Sequence, residues 1–163
     1  MIHAPFTYAE LLAQVTAALG PEWRPMLIGF DGRDGGGKTS AASWLAWQLG
    51  LPAIHLDLFM QRTEFEGPIK WRTDDIARCL ESRGARPMVV EGVLLLDVLS
   101  AVQRTADILV FVEKIEPQHS RDRSLDDDLI DTREFSLSNQ ISRYFERRKP
   151  VTLADFKLSW NDS

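Results

Sequence analysis

The chain has 163 residues, of which 44% are hydrophobic and 26% are charged, and its formal net charge is −5. This balance is typical of a globular protein long enough to form one domain with a buried core. An acidic chain whose arginines are dispersed among acidic residues lacks the basic face of a nucleic-acid binder. One cysteine excludes an intramolecular disulfide, and three histidines without metal-ligand spacing argue against a zinc site.

The amino terminus has none of the features of a targeting segment. Residues 1–9 contain neither a basic n-region nor an apolar h-region, so we expect no signal peptide. No stretch approaches the 18 or so apolar residues of a membrane-spanning helix. We therefore expect a cytoplasmic protein without a membrane or nucleic-acid partner. A single domain is expected over residues 1–163, with an N-terminal helix in residues 1–22 and a nucleotide-binding core in residues 26–158.

Helices and short apolar runs alternate along the chain. Thr7 and Glu10 have the spacing of a capping box, and Gly20 followed by Pro21 ends the helix that they begin. Strands are predicted at 26–30, 53–56, 88–91, 107–112 and 154–158. Further helices are predicted at 38–49, 73–82, 94–102 and 138–147, with one more beginning near Pro117. Because the strands alternate little, they predict a parallel sheet covered by helices, which is a doubly wound α/β fold.

A phosphate-binding loop follows the first predicted strand. It consists of Gly32, Arg33, Asp34, Gly35, Gly36, Gly37, Lys38 and Thr39, with Ser40 next in the predicted helix. Glycines let backbone N–H groups approach phosphate oxygens, Lys38 supplies a cation for the β- and γ-phosphates, and the Thr39 hydroxyl can ligate Mg²⁺. A plain glycine-rich turn is disfavoured because strand, loop, Lys, Thr and helix occur in order. The guanine-reading Asn-Lys-x-Asp motif is absent, so we expect ATP with Mg²⁺ rather than GTP.

Two carboxylates follow the second and third predicted strands directly. Parallel strands end at one edge of the sheet, so Asp57 and Glu91 should emerge beside the loop. Asp57 could accept the proton of an attacking hydroxyl, and Glu91 could hold Mg²⁺ or its water. Both are therefore candidate ligands of metal and substrate. The alternative for each is a strand-end acid that faces solvent.

Arginines near the site form two further groups of candidates. Arg121 and Arg123 lie past the fourth strand in a possible lid, about residues 115–135, and one of them could neutralise charge on the γ-phosphate. The alternative is a solvated charged helix. Arg62 and Arg72, in the polar loop after the second strand, could hold an anionic substrate, or that loop is an ordinary surface loop.

Aromatic residues and a histidine near these elements have simpler explanations. Trp44 and Trp47 are expected to pack against the sheet or the N-terminal helix. His55, inside the second strand, is expected to be a core histidine rather than a base.

Three segments, taken in order, resemble the uridine kinase and phosphoribulokinase family. They are residues 28–32, which lead into the loop, residues 56–60 around Asp57, and residues 89–94 around Glu91. The strand at 106–112 with its Arg-Asp-rich helix and the pair Ala154-Asp155 also fit, so the resemblance covers residues 26–158. Leu58 and Met60 depart from it, since a small polar residue and Tyr are common there. No long nucleoside-binding hairpin is expected between the second and third strands.

The resemblance implies a P-loop kinase whose mostly parallel five-stranded sheet has the order 2-3-1-4-5, with helices on both faces. Family members move the γ-phosphoryl of Mg-ATP to a hydroxyl of a small metabolite, such as a nucleoside, a sugar or a sugar phosphate. The family's general base and substrate-hydroxyl ligand matches Asp57, and its lid arginines match Arg121 and Arg123. Two alternatives stay open: a regulatory ATPase without small-molecule kinase activity, and a nucleoside monophosphate kinase.

Overall fold

A computed structural model describes residues 7–61, 67–115 and 135–160 of the chain. The predicted positions Arg62, Arg121 and Arg123 lie outside these ranges, as does Pro117. The helices are Tyr8–Leu19 (α1), Lys38–Leu49 (α2), Thr73–Ser82 (α3), Leu95–Ala101 (α4), Leu137–Arg148 (α5) and Pro150–Leu153 (α6). The strands are Leu27–Asp31 (β1), Ala53–His55 (β2), Met60–Gln61 (β3), Lys70–Trp71 (β4), Met88–Glu91 (β5), Ile108–Lys114 (β6) and Phe156–Trp160 (β7). A 3-10 helix, Leu56–Phe59, follows β2.

The main sheet has five strands in the order β2-β5-β1-β6-β7, and all of its neighbours are parallel. The predicted fold class is confirmed. The numbering differs in detail from the predicted order because an antiparallel pair, β3 with β4, lies between β2 and β5 in the chain. Counted among the strands of the main sheet alone, the order is 2-3-1-4-5.

The antiparallel pair joins Met60 to Trp71 and Gln61 to Lys70. We expected no long hairpin at this point; among the described residues the ladder has two residues on each side. The two-residue strands have no periodic pattern of their own. Met60 and Trp71 instead pack beside a buried cluster that includes Val93, so tertiary packing forms this pair.

The side chains of each strand point alternately to the two faces of the sheet, and the core is divided between those faces. On one face α1 and α2 pack against Val89 of β5 and Val110 of β6. On the other face α3 and α4 pack against Val90 of β5 and Leu109 of β6, which are adjacent in sequence to Val89 and Val110. Successive side chains of a strand point to opposite faces, so a strand buried on both sides is apolar throughout. Both faces of the sheet are therefore covered by helices, as predicted.

The N-terminal helix begins with the predicted capping box. The Glu10 N–H donates to the Thr7 hydroxyl at 3.2 Å, and the Thr7 N–H donates to the Glu10 carboxylate at 2.7 Å. Trp44 packs edge-on against Tyr8, with ring centroids 4.9 Å apart. The expectation for Trp47 is wrong, because 78% of it is exposed. The buried face of α2 is formed by Ala41, Ala42, Leu45 and Ala46, and Trp47 lies outside that stripe.

Carboxylates at the amino ends of two strands complete the sheet's hydrogen bonding. Asp107 accepts from the Leu27 N–H at 2.7 Å, and Asp155 accepts from the Leu109 N–H at 2.8 Å. Each bond satisfies a backbone donor at the edge opposite the phosphate loop. Asp155, one of the residues that carry the family resemblance, therefore has a structural role. In the part of the chain that the structure describes, no helix is both long enough and apolar enough to span a bilayer.

Candidate active site

The phosphate loop joins the end of β1 to the first residue of α2. Gly37, the residue before the helix, has φ +86°, and Gly32 has φ +155°. A Cβ on Gly32 would lie 2.2 Å from the Val112 carbonyl oxygen, so only glycine fits there. No side chain caps the start of α2. Its first N–H groups are thus left to bind an anion, with the helix dipole adding to the attraction.

Lys38 lies beneath this loop with only 6% of its surface exposed. Its ammonium donates to the Arg33 carbonyl at 2.6 Å. Burial lowers the pKa of Lys38, and the nearby carboxylates of Glu91 and Asp57 oppose that shift by favouring the charged form. The structure therefore brings Lys38 into one electrostatic cluster with both predicted strand-end acids.

Glu91 is the last residue of β5, and 1% of it is exposed. Its Oε1 accepts from the Thr39 hydroxyl at 3.1 Å and lies 2.8 Å from Nδ1 of His55. Its Oε2 is buried and has no hydrogen-bond partner among the described residues. Leaving a carboxylate oxygen buried and unpaired is costly. Such an atom indicates a position where a bound cation or its water completes the site.

These oxygen donors fit magnesium. Mg²⁺ prefers carboxylate and hydroxyl oxygens together with water and substrate phosphates, and Thr39 and Glu91 offer the first two side by side. Within residues 7–61, 67–115 and 135–160, no group of three or more His, Cys, Asp or Glu side chains could hold a metal. Thr39 and Glu91 could hold the ion together with the nucleotide, and the predicted metal-ligand roles of Thr39, Glu91 and Asp57 stay predictions.

Asp57 lies in the 3-10 helix that follows β2. Partial burial raises the pKa of its carboxyl, the negative charge of Glu91 raises it further, and Lys38 opposes both. A carboxylate whose pKa is raised toward neutrality is a stronger base than an ordinary aspartate. Asp57 is nonetheless an exposed residue, as its solvent-facing alternative predicts, and its raised pKa is compatible with proton acceptance.

Asp31, which sequence reasoning did not assign to the site, is a third strand-end acid. It is fully buried at the end of β1 and accepts from the Gly32 N–H at 2.7 Å and from the Tyr144 hydroxyl of α5. Burial raises its pKa to about 6, while these bonds and Lys38 lower it. Its sequence position after an apolar strand is the same signal that found Asp57 and Glu91. Tyr144 gave no such signal, because a helical apolar stripe explains it.

Two aromatic residues far apart in sequence also contact the loop. The Arg33 guanidinium lies 4.9 Å from the ring centre of Phe145, and the Trp160 indole N–H donates to the Gly36 carbonyl at 2.8 Å. A Cβ on Gly37 would lie 2.5 Å from that indole nitrogen. The phosphate loop is therefore contacted both by α5 and by the end of β7.

Arg72 is engaged within the segment around Asp57. Its guanidinium donates to the Leu58 carbonyl at 2.6 Å and to Asp75 at 3.3 Å, and it lies 5.4 Å from the ring centre of Phe59. These contacts tie the 3-10 helix to the start of α3. The substrate role predicted for Arg72 stays a prediction, as do the roles of Arg62, Arg121 and Arg123 outside the described residues.

Comparisons with known proteins identify the fold. No protein-family model and no curated protein sequence matches the chain. A solved structure described as a possible uridine kinase from Bacillus stearothermophilus superposes with a TM-score of 0.59 at 14% identity, over 93% of this chain and 96% of that one. A structure described as a candidate fructose transport system kinase from Silicibacter sp. TM1040 gives a TM-score of 0.50 at 17% identity, over 97% and 100% of the two chains. The chain therefore has the α/β fold of P-loop kinases.

Proposed function

We propose that the protein is an ATP-dependent phosphotransferase that moves the γ-phosphoryl of Mg-ATP to a hydroxyl of a small metabolite. The observation that carries this proposal is the buried, unpartnered Oε2 of Glu91 beside the Thr39 hydroxyl, in one cluster with Lys38 and Asp57. A phosphate loop alone would support nucleotide binding. Asp57 as a base, together with the Glu91 carboxylate whose Oε2 lacks a partner among the described residues, supports a reaction on the bound triphosphate.

Nucleotide binding in this proposal uses groups that are already oriented. The N–H groups of residues 32–39 and Ser40 surround the β- and γ-phosphates, and Lys38 leaves the Arg33 carbonyl to contact their oxygens. The buried ammonium of Lys38 then donates to an anionic phosphate oxygen instead of a neutral carbonyl oxygen. A hydrogen bond between two charged groups is stronger, so this change favours nucleotide binding. Magnesium, held by Thr39 and Glu91, would neutralise charge on the phosphate oxygens during transfer.

The transfer step is an in-line displacement at the γ-phosphorus. The acceptor's hydroxyl oxygen forms a bond to phosphorus as the bond to the β-phosphate oxygen breaks, and ADP leaves. The carboxylate of Asp57 takes the hydroxyl proton. Its raised pKa suits this task because a base works best when its pKa approaches the operating pH. Lys38 stays with the phosphates and balances the charge that moves to ADP.

The descriptions of two fold neighbours and the position of Asp57 support an alcohol of a small metabolite as the acceptor. One neighbour is described as a possible uridine kinase and another as a candidate fructose transport system kinase. A nucleoside, a sugar and a sugar phosphate each present a hydroxyl whose proton Asp57 could accept. Each is therefore a suitable acceptor for a uridine kinase-like enzyme. Arg62 and Arg72 are the side chains proposed to meet an anionic acceptor, and Arg121 or Arg123 the ones that approach the γ-phosphate.

A transfer assay with [γ-³²P]ATP across nucleosides, sugars and sugar phosphates tests the proposal directly. Asp57→Asn keeps the shape of the side chain but removes the base, so transfer should fall at least ~100-fold. The dissociation constant for a Mg-ATP analogue should stay within about threefold. Asp107→Asn is the matched control, because it changes a carboxylate at the opposite edge and keeps an acceptor for the Leu27 N–H.

Two outcomes would contradict parts of this proposal. Asp57→Asn with wild-type transfer would remove Asp57 from the mechanism. Nucleotide binding or slow hydrolysis with no transfer to any acceptor in the panel would favour a regulatory ATPase instead.

A further inference from the structure

We propose that Tyr144 is a positioning residue for nucleotide binding, which acts by holding Asp31 and, through it, the start of the phosphate loop. The proposal goes beyond the phosphotransferase function and rests on it only in that the loop binds a nucleotide. Tyr144 touches no phosphate in this scheme. It fixes a residue that in turn fixes the loop.

The contacts form a chain across three elements that meet at the site. The N–H of Leu96, in the first turn of α4, donates to the Tyr144 hydroxyl at 3.1 Å. The Tyr144 hydroxyl donates to one oxygen of Asp31, and the Gly32 N–H donates to the other at 2.7 Å. Because Asp31 is fully buried and Tyr144 is 1% exposed, bulk solvent does not compete for either bond. Each donor in the chain therefore restrains the next group.

The last bond in the chain reaches the residue where the loop begins. Gly32 adopts a φ of +155° and passes close to the Val112 carbonyl, so its backbone has little room to shift. If the Tyr144 hydroxyl is removed, one buried oxygen of Asp31 loses its donor, and the carboxylate must move, protonate or admit water. Each response alters the acceptor that now holds the Gly32 N–H. The loop then starts from a less defined position.

A second contact from the same helix supports this role. Phe145, the next residue of α5, lies under the Arg33 guanidinium and packs edge-on against Phe111 of β6 with centroids 5.6 Å apart. Adjacent residues of α5 thus contact Asp31, directly before the loop, and Arg33 within it. The helix supports the loop from one side, and Tyr144 supplies its polar contact.

The charge of Asp31 makes the role measurable apart from folding. The groups that face its carboxyl are the Gly32 N–H, Tyr144 of α5, Lys38 of α2 and, with a repulsive effect, Asp97 of α4. With a pKa of about 6, Asp31 is mainly ionised at pH 7. The ionised carboxylate of Asp31 repels the negative charge of a bound triphosphate. Ionisation of Asp31 should therefore weaken nucleotide binding as the pH rises through about 6. The Tyr144 bond lowers this pKa, so Tyr144→Phe should move that change to higher pH.

The experiment measures the dissociation constant of a non-hydrolysable Mg-ATP analogue by calorimetry between pH 5.5 and 8.5. Each Tyr144 form is compared with the same form carrying Asp31→Asn, because their ratio removes the titration of the nucleotide itself. Tyr8→Phe is the matched control. Tyr8 is the other tyrosine of the chain, and it packs on Trp44 of α2.

We expect Tyr144→Phe to bind about 10-fold more weakly at pH 8.5, well above the pKa of Asp31 in the wild type. Its pH midpoint should exceed the wild-type midpoint, and the effect should largely disappear in the Asp31→Asn background. Tyr8→Phe should match the wild type. A Tyr144→Phe protein with wild-type affinity and midpoint overturns the proposal, as does an effect that persists undiminished with Asp31→Asn. Binding without any phosphoryl transfer would overturn the kinase assignment alone, whereas failure to bind nucleotide would overturn both.

Discussion

His55 and Glu91 are aligned on the neighbouring parallel strands β2 and β5, with Nδ1 of the histidine 2.8 Å from Oε1 of the glutamate. A carboxylate can only accept, so Nδ1 carries the proton and donates. The same oxygen accepts from Thr39, which leaves Oε2 as the unpaired atom. We expected a core histidine, but 31% of the side chain is exposed and its ring orients an acid of the candidate site.

Removal of the His55 ring should therefore raise the requirement for magnesium. In His55→Ala the Glu91 carboxylate loses one of two restraints, and we expect the Mg²⁺ concentration for half-maximal transfer to rise about 10-fold, as is common for residues that orient a metal ligand. His55→Asn keeps an N–H near the position of Nδ1 and should stay within about threefold of wild type. A magnesium titration at saturating ATP measures both. Equal titrations of His55→Ala and wild type would contradict an orienting role.

The glycine before α2 should be irreplaceable, and the loop contains its own control. Gly37→Ala would put a Cβ 2.5 Å from the Trp160 indole nitrogen at a φ of +86°. Gly35 has a φ of +70° with no atom within 4 Å of the corresponding Cβ, so Gly35→Ala carries the backbone strain without the clash.

We expect Gly37→Ala to lose at least ~10-fold more affinity for the Mg-ATP analogue than Gly35→Ala, since an unrelieved clash adds to a strain of about 1–2 kcal/mol. Calorimetric titration of both variants provides the comparison. Trp160→Ala in the Gly37→Ala background should restore part of the loss. Equal losses in the two single variants would show that strain alone matters at this loop.

The parts of the fold with local causes were predictable from sequence. α2, α3 and β5 have the bounds that were predicted, because glycine, proline and apolar spacing mark their ends within a few residues. The β3–β4 pair was missed, since two-residue strands carry no pattern and form only where Met60 and Trp71 meet a cluster built from distant segments.

The candidate site divides in the same way. Asp57 and Glu91 were predicted correctly to lie near each other because the carboxyl ends of parallel strands meet at one edge of the sheet. This placement depends on the backbone topology and not on side-chain packing. The bond between Asp31 and Tyr144 joins positions 113 apart, and no spacing rule predicts which face of α5 reaches β1. The exposure of Trp47 was missed for a related reason. Its apolar character suggested burial, but the position of the stripe on α2 decides it.

The stability of the protein should depend on Asp31 in a pH range set by its shifted pKa. The folded state raises this pKa from 3.8 to about 6, so folding favours the protonated carboxyl. The favourable contribution is fully present below about pH 3.8 and is lost as pH rises through about 6. Above that range the wild type bears a cost of at most about 3 kcal/mol for the buried charge.

Asp31→Asn has no such titration and can still accept from Gly32. The difference in free energy of unfolding between Asp31→Asn and wild type should therefore shift in favour of the variant by roughly 2–3 kcal/mol between pH 4.5 and pH 8. Urea denaturation at the two pH values measures it. A difference that does not change with pH would mean that Asp31 titrates in its ordinary range.

Asp155 should matter for folding but not for nucleotide binding, although it belongs to the sequence resemblance to kinases. Its carboxylate accepts from the Leu109 N–H at the amino end of β6, away from the phosphate loop. Asp155→Ala leaves that donor unpaired and should cost about 1 kcal/mol of unfolding free energy, whereas Asp155→Asn keeps an acceptor and should cost less. The dissociation constant of the Mg-ATP analogue should be unchanged in both folded variants. Weakened nucleotide binding in Asp155→Ala with unchanged stability would instead give Asp155 a role at the site, because a purely structural bond acts on the whole sheet rather than on one ligand.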